Sequence, residues 1–363
     1  MKDSDIKDIR SIDVSGLKDW VSSSGQPEYR VQQILSWLYK KRVNSLDEMT
    51  NLPQSLRESL KISFSLDVPK LVRVQGSKDT TAKFLWEFGG GDMVESVLIP
   101  ANLGDGGDQS DRKTLCVSSQ VGCAYGCKFC ASGLDGLKRN LNVHEIVGQI
   151  IAVENWHAEQ TGDFGPIINN LVFMGMGEPL ANYKNLIPAL AILNAEWGLN
   201  IGARRITIST SGLAPLIERL AEEPQQYRLA ISLHGATDVV RDKIMPVNKK
   251  FPLEILKEAC LKYQKKKGKM ITLEYILIRD INDSLDQVPY LAQLAKRLSA
   301  KVNLIPYNTV DGLDWERPLL ETQRKFAAKL SSLGVTATLR REKGHDIDAA
   351  CGQLRLKTQK TLN

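Results

Sequence analysis

Three cysteines in one short stretch, Cys123-Ala-Tyr-Gly-Cys127-Lys-Phe-Cys130, constrain this chain more than any other feature. Thiolates spaced C-x3-C-x2-C can hold three corners of a cubane iron–sulfur cluster, with Gly126 allowing the backbone to turn sharply. One iron is then left without a protein ligand, open to a substrate or cofactor, as a catalytic metal keeps a position that a structural one fills. Structural zinc would call for a fourth Cys or His nearby. The nearest candidate, His144, lies fourteen residues beyond Cys130, where a helix is expected to begin. Incidental core cysteines are the remaining alternative, and such clustering in glycine-rich surroundings argues against it.

At 363 residues the chain exceeds the usual single domain, which suggests one large domain with smaller attachments. Six cysteines are too few for a secreted disulfide scaffold, and a cluster of this kind is assembled where thiols stay reduced, so a cytoplasmic location is expected. The N-terminus MKDSDIKDIRS is charged and lacks the apolar core of a signal peptide. No stretch approaches the apolar run of a membrane span. The net charge of +6 is compatible with a polyanionic partner without requiring one.

Residues 1–66 read as a small helical unit. Val31, Ile34, Leu35 and Leu38 fall at helical spacing in the segment from Glu28 to Lys41, and a second short helix is expected after Pro53. Arg30, Lys40, Lys41 and Arg42 are interleaved, either as a solvated face or as contacts for nucleic-acid phosphates. Residues 67–100 change to a period of two: LVRVQ, AKFLWEF and MVESVLIP read as strands, with Gly89–Gly91 turning between the last two. Glu95 lies in the third run. Residues 101–113 form a glycine- and aspartate-rich loop.

Residues 101–363 then alternate. Apolar β-rich runs at 114–118, 169–174, 205–209, 228–233, 271–278 and 302–306 are separated by amphipathic helices near 143–159, 184–197, 214–223, 252–266 and 285–299. This pattern predicts an α/β fold with a parallel sheet and right-handed crossovers, as a barrel or an open doubly wound sheet. Polar and glycine residues gather at the C-terminal ends of the runs, where barrel enzymes place their sites. The second run ends in Gly175-Met176-Gly177-Glu178-Pro179, the third in Ser209-Thr210-Ser211-Gly212, the fourth in Ser232-Leu233-His234 and the sixth in Tyr307-Asn308. Each is weak alone, since such residues commonly cap helices, and their recurrence carries the weight.

The cysteine spacing, with Phe129 before the last thiol, is similar to the signature of the radical S-adenosylmethionine (SAM) superfamily. That resemblance implies a partial six-stranded (βα) barrel, here with a small N-terminal helical domain and a short β extension. It also implies a [4Fe-4S] cluster held by Cys123, Cys127 and Cys130. Taken in order, MTNLP, LCVSSQVGC, CKFCASG, GMGEPL, STSG, ISLH, NLIPYN and DIDAACGQL resemble the RlmN family over nearly the whole chain. Members of that family methylate carbon 2 of adenosine in large-subunit (23S) ribosomal RNA and in transfer RNA.

The resemblance implies two SAM molecules per turnover. One methylates Cys351, and the other yields a 5′-deoxyadenosyl radical that takes hydrogen from the new S-methyl group. The resulting methylene adds to adenine, and Cys116 then attacks the Cys351 sulfur to release product as a Cys116–Cys351 disulfide. Glu95 matches the family's proton acceptor. Gly177, Glu178, Ser209, Ser232, Leu233, His234 and Asn308 match its SAM contacts, and the N-terminal unit becomes an RNA-binding accessory. A reducing electron donor, flavodoxin-like or similar, is implied, with a monomer expected. Cys260 fits a packing role on an apolar helix face. The rival activities are methylation of carbon 8 of the same ribosomal adenosine and noncatalytic RNA binding by an iron–sulfur protein. The complete N-terminal unit and the GMGEPL and DIDAACGQL wording favour carbon 2, and retention of both Cys116 and Cys351 argues against simple binding.

Overall fold

The computed structural model describes residues 6–101, 112–268, 270–310, 312–340 and 352–362. The helical unit comprises Val14–Ser23, Tyr29–Leu35 continued by a π-helical turn Ser36–Lys40, and Gln54–Ser63. Its apolar stripe, including Val31, Ile34, Leu35, Leu38, Leu56 and Leu60, is buried and continuous with the main core. Three polar links fasten it to the rest. Asp67 N donates to Asp8 Oδ2 at 2.6 Å, Ser11 Oγ lies 2.9 Å from His144 Nδ1, and Arg42 donates to Asn155 Oδ1 at 3.2 Å and Phe164 O at 2.8 Å. Arg42 is thereby buried and unavailable to a phosphate, unlike exposed Lys40 and Lys41.

The strands are β1 Lys70–Gly76, β2 Ala82–Phe88, β3 Asp92–Pro100, β4 Lys113–Cys116, β5 Gln120–Gly122, β6 Leu137–Asn140, β7 Ile168–Phe173, β8 Ile206–Thr210, β9 Arg228–Ser232, β10 Thr272–Leu277, β11 Lys301–Pro306 and β12 Ala337–Leu339. Ten of these form one sheet in the order β1-β2-β3-β4-β7-β8-β9-β10-β11-β12, while β5 and β6 pair as a small hairpin. Within the ten-stranded sheet every pairing from β4 to β12 is parallel. The six expected barrel strands are all present, and β12 adds a seventh that three residues are too short to announce by periodicity. The β extension is not an appendage, because antiparallel β1–β3 continue the same sheet through the β3–β4 pairing.

Strand alternation fixes what faces inward. Leu115, Leu171, Ile206, Ile208, Leu229, Ile231, Leu273, Tyr275, Val302 and Leu304 are buried in the apolar core. Their alternates, Cys116, Val172, Met174, Thr207, Ala230, Thr272, Glu274 and Asn303, line a cavity of about 450 Å³ together with Lys83 and Glu95. Contributions from β2 through β11 to one cavity show that the sheet curls around it. Among the described residues, no helix is long and apolar enough to cross a membrane.

Candidate active site

The cluster loop follows β5 and is tied down by its own backbone. Cys130 N donates to Cys127 O at 3.0 Å, Cys123 N to Gly136 O at 3.0 Å and Lys128 N to Ile244 O at 2.9 Å, while Gly126 adopts φ 58°. Phe129 packs edge-on against His234 with ring centroids 4.8 Å apart.

The three thiols open into a cavity of about 310 Å³ at the C-terminal ends of the strands, which also receives Gly177, Glu178, Ser209, Ser232, His234 and Asn308. The structure thus gathers most of the sequence-predicted ligand residues in one place. Leu233 is fully buried, and its backbone groups bridge the neighbouring Glu274 carbonyl and the Arg241 side chain.

Several of these side chains brace the site as well as line it. Glu178 accepts from Leu180 N at 3.1 Å and Ser211 N at 2.7 Å, stitching the end of β7 to the end of β8. Burial raises its pKa, against the lowering effect of those bonds. Gly177 must be glycine: it sits at φ 97°, and a Cβ there would meet Gln120 Cβ at 2.5 Å. His234 Nδ1 accepts from Ile276 N at 3.0 Å, which leaves the ring proton on Nε2. Burial depresses the His234 pKa to about 3, so the ring is a neutral donor toward the cavity. Ser209 Oγ lies 3.3 Å from Ser232 Oγ, and Arg317 NH2 donates to Asn308 Oδ1.

The donor set fits a cubane cluster better than a single ion. Burial pushes the Cys123 thiol up to about 11 and the Cys127 thiol higher still, with the neighbouring thiolates adding to the rise. Three clustered thiolates need a cationic centre to be stable there. Sulfurs bound to one zinc at about 2.3 Å must lie within about 4.6 Å of each other. Among the described residues, the only trio of candidate ligand atoms within 4.8 Å of one another is Asp8, Asp67 and His144, which includes none of the cysteines.

Cys116 and Glu95 line the deeper 450 Å³ cavity, which shares Met174, Gly175, Glu274 and Arg340 with the cluster cavity. Cys116 is a free thiol directly opposite Val97 in the β3–β4 pairing, and burial pushes it up to about 11. Glu95, 1% exposed, pairs with Lys83 Nζ at 2.9 Å. It also accepts from Gly352 N at 2.8 Å and Arg355 N at 2.7 Å. A strand carboxylate therefore caps the helix Gln353–Leu362, in keeping with the preference of anions for helix N-termini. Cys351 and the loop 102–111 lie outside the described residues. Gly352, which follows Cys351, packs against the cluster loop: its φ is 83°, and a Cβ there would meet Ser132 N at 2.9 Å.

Two residues that sequence reasoning missed organise this region. Arg241 is fully buried, with Nε donating to Leu233 O at 3.0 Å, NH1 to Asn248 Oδ1 at 2.6 Å and NH2 to Ser211 O at 2.5 Å. It clamps the ends of β8 and β9 behind the cluster loop. Lys83 was the other, although its alternation with Ala82, Phe84 and Trp86 in AKFLWEF already placed a cation on the face opposite the core residues.

Comparison with known proteins gives a consistent picture. Residues 7–66 match the model described as ribosomal RNA large subunit methyltransferase N-terminal domain, and residues 117–288 match the radical SAM superfamily model. A protein of Akkermansia muciniphila named "Probable dual-specificity RNA methyltransferase RlmN" is 54% identical over 340 residues, covering 94% of this chain and 93% of that protein. One of Opitutus terrae, named "Probable dual-specificity RNA methyltransferase RlmN 3", is 56% identical, covering 93% of this chain and 91% of its own length. The crystal structure of a radical SAM methyltransferase from Sphaerobacter thermophilus superposes with a TM-score of 0.88 at 40% identity, covering 96% of this chain and 98% of that one.

Proposed function

Because the chain belongs to the RlmN family of radical SAM RNA methyltransferases, we propose that it methylates carbon 2 of adenosine in 23S ribosomal RNA and in transfer RNA. The observation that carries this reading is the two-chambered interior, with Cys123, Cys127 and Cys130 in one cavity and Cys116 with Glu95 in the adjoining one.

Carbon 2 of adenine is electrophilic and has no lone pair to attack a sulfonium, so the methyl group needs a carrier able to deliver carbon as a radical. When bound at the three cysteines, the [4Fe-4S] cluster supplies the electron that cleaves SAM. Every remaining task falls to the chain. Glu178, Ser209, Ser232, His234 and Asn308 hold the cofactor through neutral and acidic groups, while Gly177 lets the backbone approach. Cys351 takes a methyl group from one SAM by displacement, loses a hydrogen atom from it to the radical generated from a second SAM, and bonds through that carbon to the base. Glu95 accepts the proton lost from carbon 2 as the adduct radical gives back the one electron spent on cleaving SAM. The Cys116 thiolate attacks the Cys351 sulfur, forming an S–S bond as the carbon–sulfur bond breaks; the released carbon takes up a proton to become the methyl group, and two electrons from a reductant restore the two thiols. A reducing donor, flavodoxin-like or similar, supplies electrons.

Burial that raises the Cys116 thiol to about 11 keeps it protonated until it is needed, and Arg340 offsets part of that rise. On the helical unit, exposed Lys40 and Lys41 suit RNA phosphates, with Lys41 Nζ held 3.5 Å over the Trp37 ring. The protein acts as a monomer in the cytoplasm.

Anaerobic reconstitution with iron and sulfide, then incubation with SAM, reductant and an RNA fragment, tests the reading through the nucleoside formed. The expected product is 2-methyladenosine. Formation of 8-methyladenosine would transfer the chain to the sister activity, and an unmodified digest would refute both.

A further inference from the structure

Glu274 is a buried carboxylate to which the methyl relay gives no task. It lies in β10, 5% exposed, in register with Ser232 of β9 on one side and Asn303 of β11 on the other. Asn303 Nδ2 donates to its Oε2 at 2.7 Å, its one side-chain hydrogen bond among the described residues. With Ser209 Oγ beside Ser232 Oγ, the four side chains make a polar row across four adjacent strands. Ser209, Ser232 and Glu274 line the cluster cavity, and Glu274 and Asn303 line the cavity of Cys116. Glu274 thus stands where the two chambers meet.

The other acids of the interior are better supplied. Glu95 accepts from an ammonium and two backbone amides, and Glu178 from two backbone amides. A carboxylate has about four acceptor positions, and burying one with a single neutral donor is costly unless further donors arrive. That cost shows in the Glu274 pKa, which burial raises to about 7 despite Asn303 and Arg340. The missing donors cannot be anionic groups, so phosphates and the SAM carboxylate are excluded from this spot. Ribose hydroxyls and an exocyclic amine qualify, and an acidic side chain on a ribose hydroxyl is the arrangement dinucleotide-binding folds use.

We propose that Glu274 is an adenosine-binding residue at the junction of the two cavities, accepting hydrogen bonds from the ribose hydroxyls or exocyclic amine of a nucleoside. This rests on the proposed function, in which both SAM and the target nucleotide bring an adenosine into the barrel, and either can supply the donors.

Two binding arms separate the sources. In the first, labelled SAM is dialysed against cluster-loaded wild type and Glu274→Gln, which keeps the shape and an acceptor for Asn303. In the second, the same proteins bind an RNA hairpin carrying either the target adenosine or an abasic nucleotide at that position. A roughly tenfold loss in SAM affinity assigns the contact to the cofactor. A similar loss of preference for adenosine over the abasic RNA, with SAM binding intact, assigns it to the target. SAM affinity and RNA preference both within twofold of wild type overturn the proposal. Glu274→Asp, which keeps the charge but withdraws it by one methylene, gives the same decision if the Gln variant fails to fold, as judged by cluster absorbance and thermal midpoint. Should wild type make no methyladenosine, the proposed function fails on its own, while the dialysis arm still decides the role of Glu274.

Discussion

The cluster loop and the Glu95 anchor serve two adjoining cavities of one interior, and they are built on opposite principles. At the loop, three thiols face a cavity, and burial works against the ionised forms of Cys123 and Cys127. At the anchor, Glu95 is enclosed by Lys83, Gly352 N and Arg355 N at 2.9, 2.8 and 2.7 Å. An under-satisfied site is completed by a ligand, whereas a saturated one fixes the chain. Losing the first should therefore abolish chemistry with little effect on the fold, whereas losing the second should also unseat the segment after Cys351.

The sharpest separation comes from Cys130→Ser. Cluster absorbance and methylation should both vanish, while the thermal midpoint of the cluster-free protein stays within about 2 °C of wild type, since a partly exposed loop thiol contributes little packing. A large drop in that midpoint would erase the contrast. Glu95→Ala should add a stability cost, lowering stability by about 3–5 kcal/mol because buried Lys83 loses its carboxylate partner, and it should abolish methylation with the proposed proton acceptor gone. Denaturant unfolding measures this, and cluster absorbance should survive.

Arg241→Lys lies between the two regimes. It removes the fork that joins Leu233, Asn248 and Ser211, costing about 1–3 kcal/mol through unsatisfied buried acceptors. Weaker SAM binding should accompany it, because the ends of β8 and β9 lose their clamp. Unchanged SAM affinity would show that the strand ends hold their geometry without it. The smallest effect is expected from Gly352→Ala, about 1–2 kcal/mol from a side chain at φ 83° pressed against Ser132. Limited proteolysis should detect it as faster cleavage near the C-terminus.

Sequence pattern revealed the barrel because its strands alternate so regularly, with Leu115, Leu171, Ile208 and Ile231 facing the core and polar or small residues between them. The cluster cysteines and the glycine turns were legible for the same reason: their chemistry is local. What escaped was held by distant partners. The tail segment RLKTQKTLN has too little apolar periodicity to announce a helix, yet Gln353–Leu362 forms one because a carboxylate far away in sequence caps it. Arg241 sits in Asp238–Ile244, a seven-residue helix too short to read, and its burial depends on glycines at 212 and 235, where a Cβ would press on it. Glu178 was legible as a site candidate from its glycine-rich turn and lines the cluster cavity, while its bracing of Ser211 required the β7–β8 neighbourhood to be known. Of the basic residues assigned to RNA, Arg42 turned inward to Asn155 for the same nonlocal reason.

The central claim is that carbon travels to RNA on a cysteine sulfur and is freed by Cys116. The most direct measurement is mass spectrometry of cluster-loaded Cys116→Ala after reaction with SAM, reductant and RNA. A covalent protein–RNA species whose crosslinked peptide contains Cys351 is predicted, whereas free methylated RNA at the wild-type rate with no adduct would contradict the account.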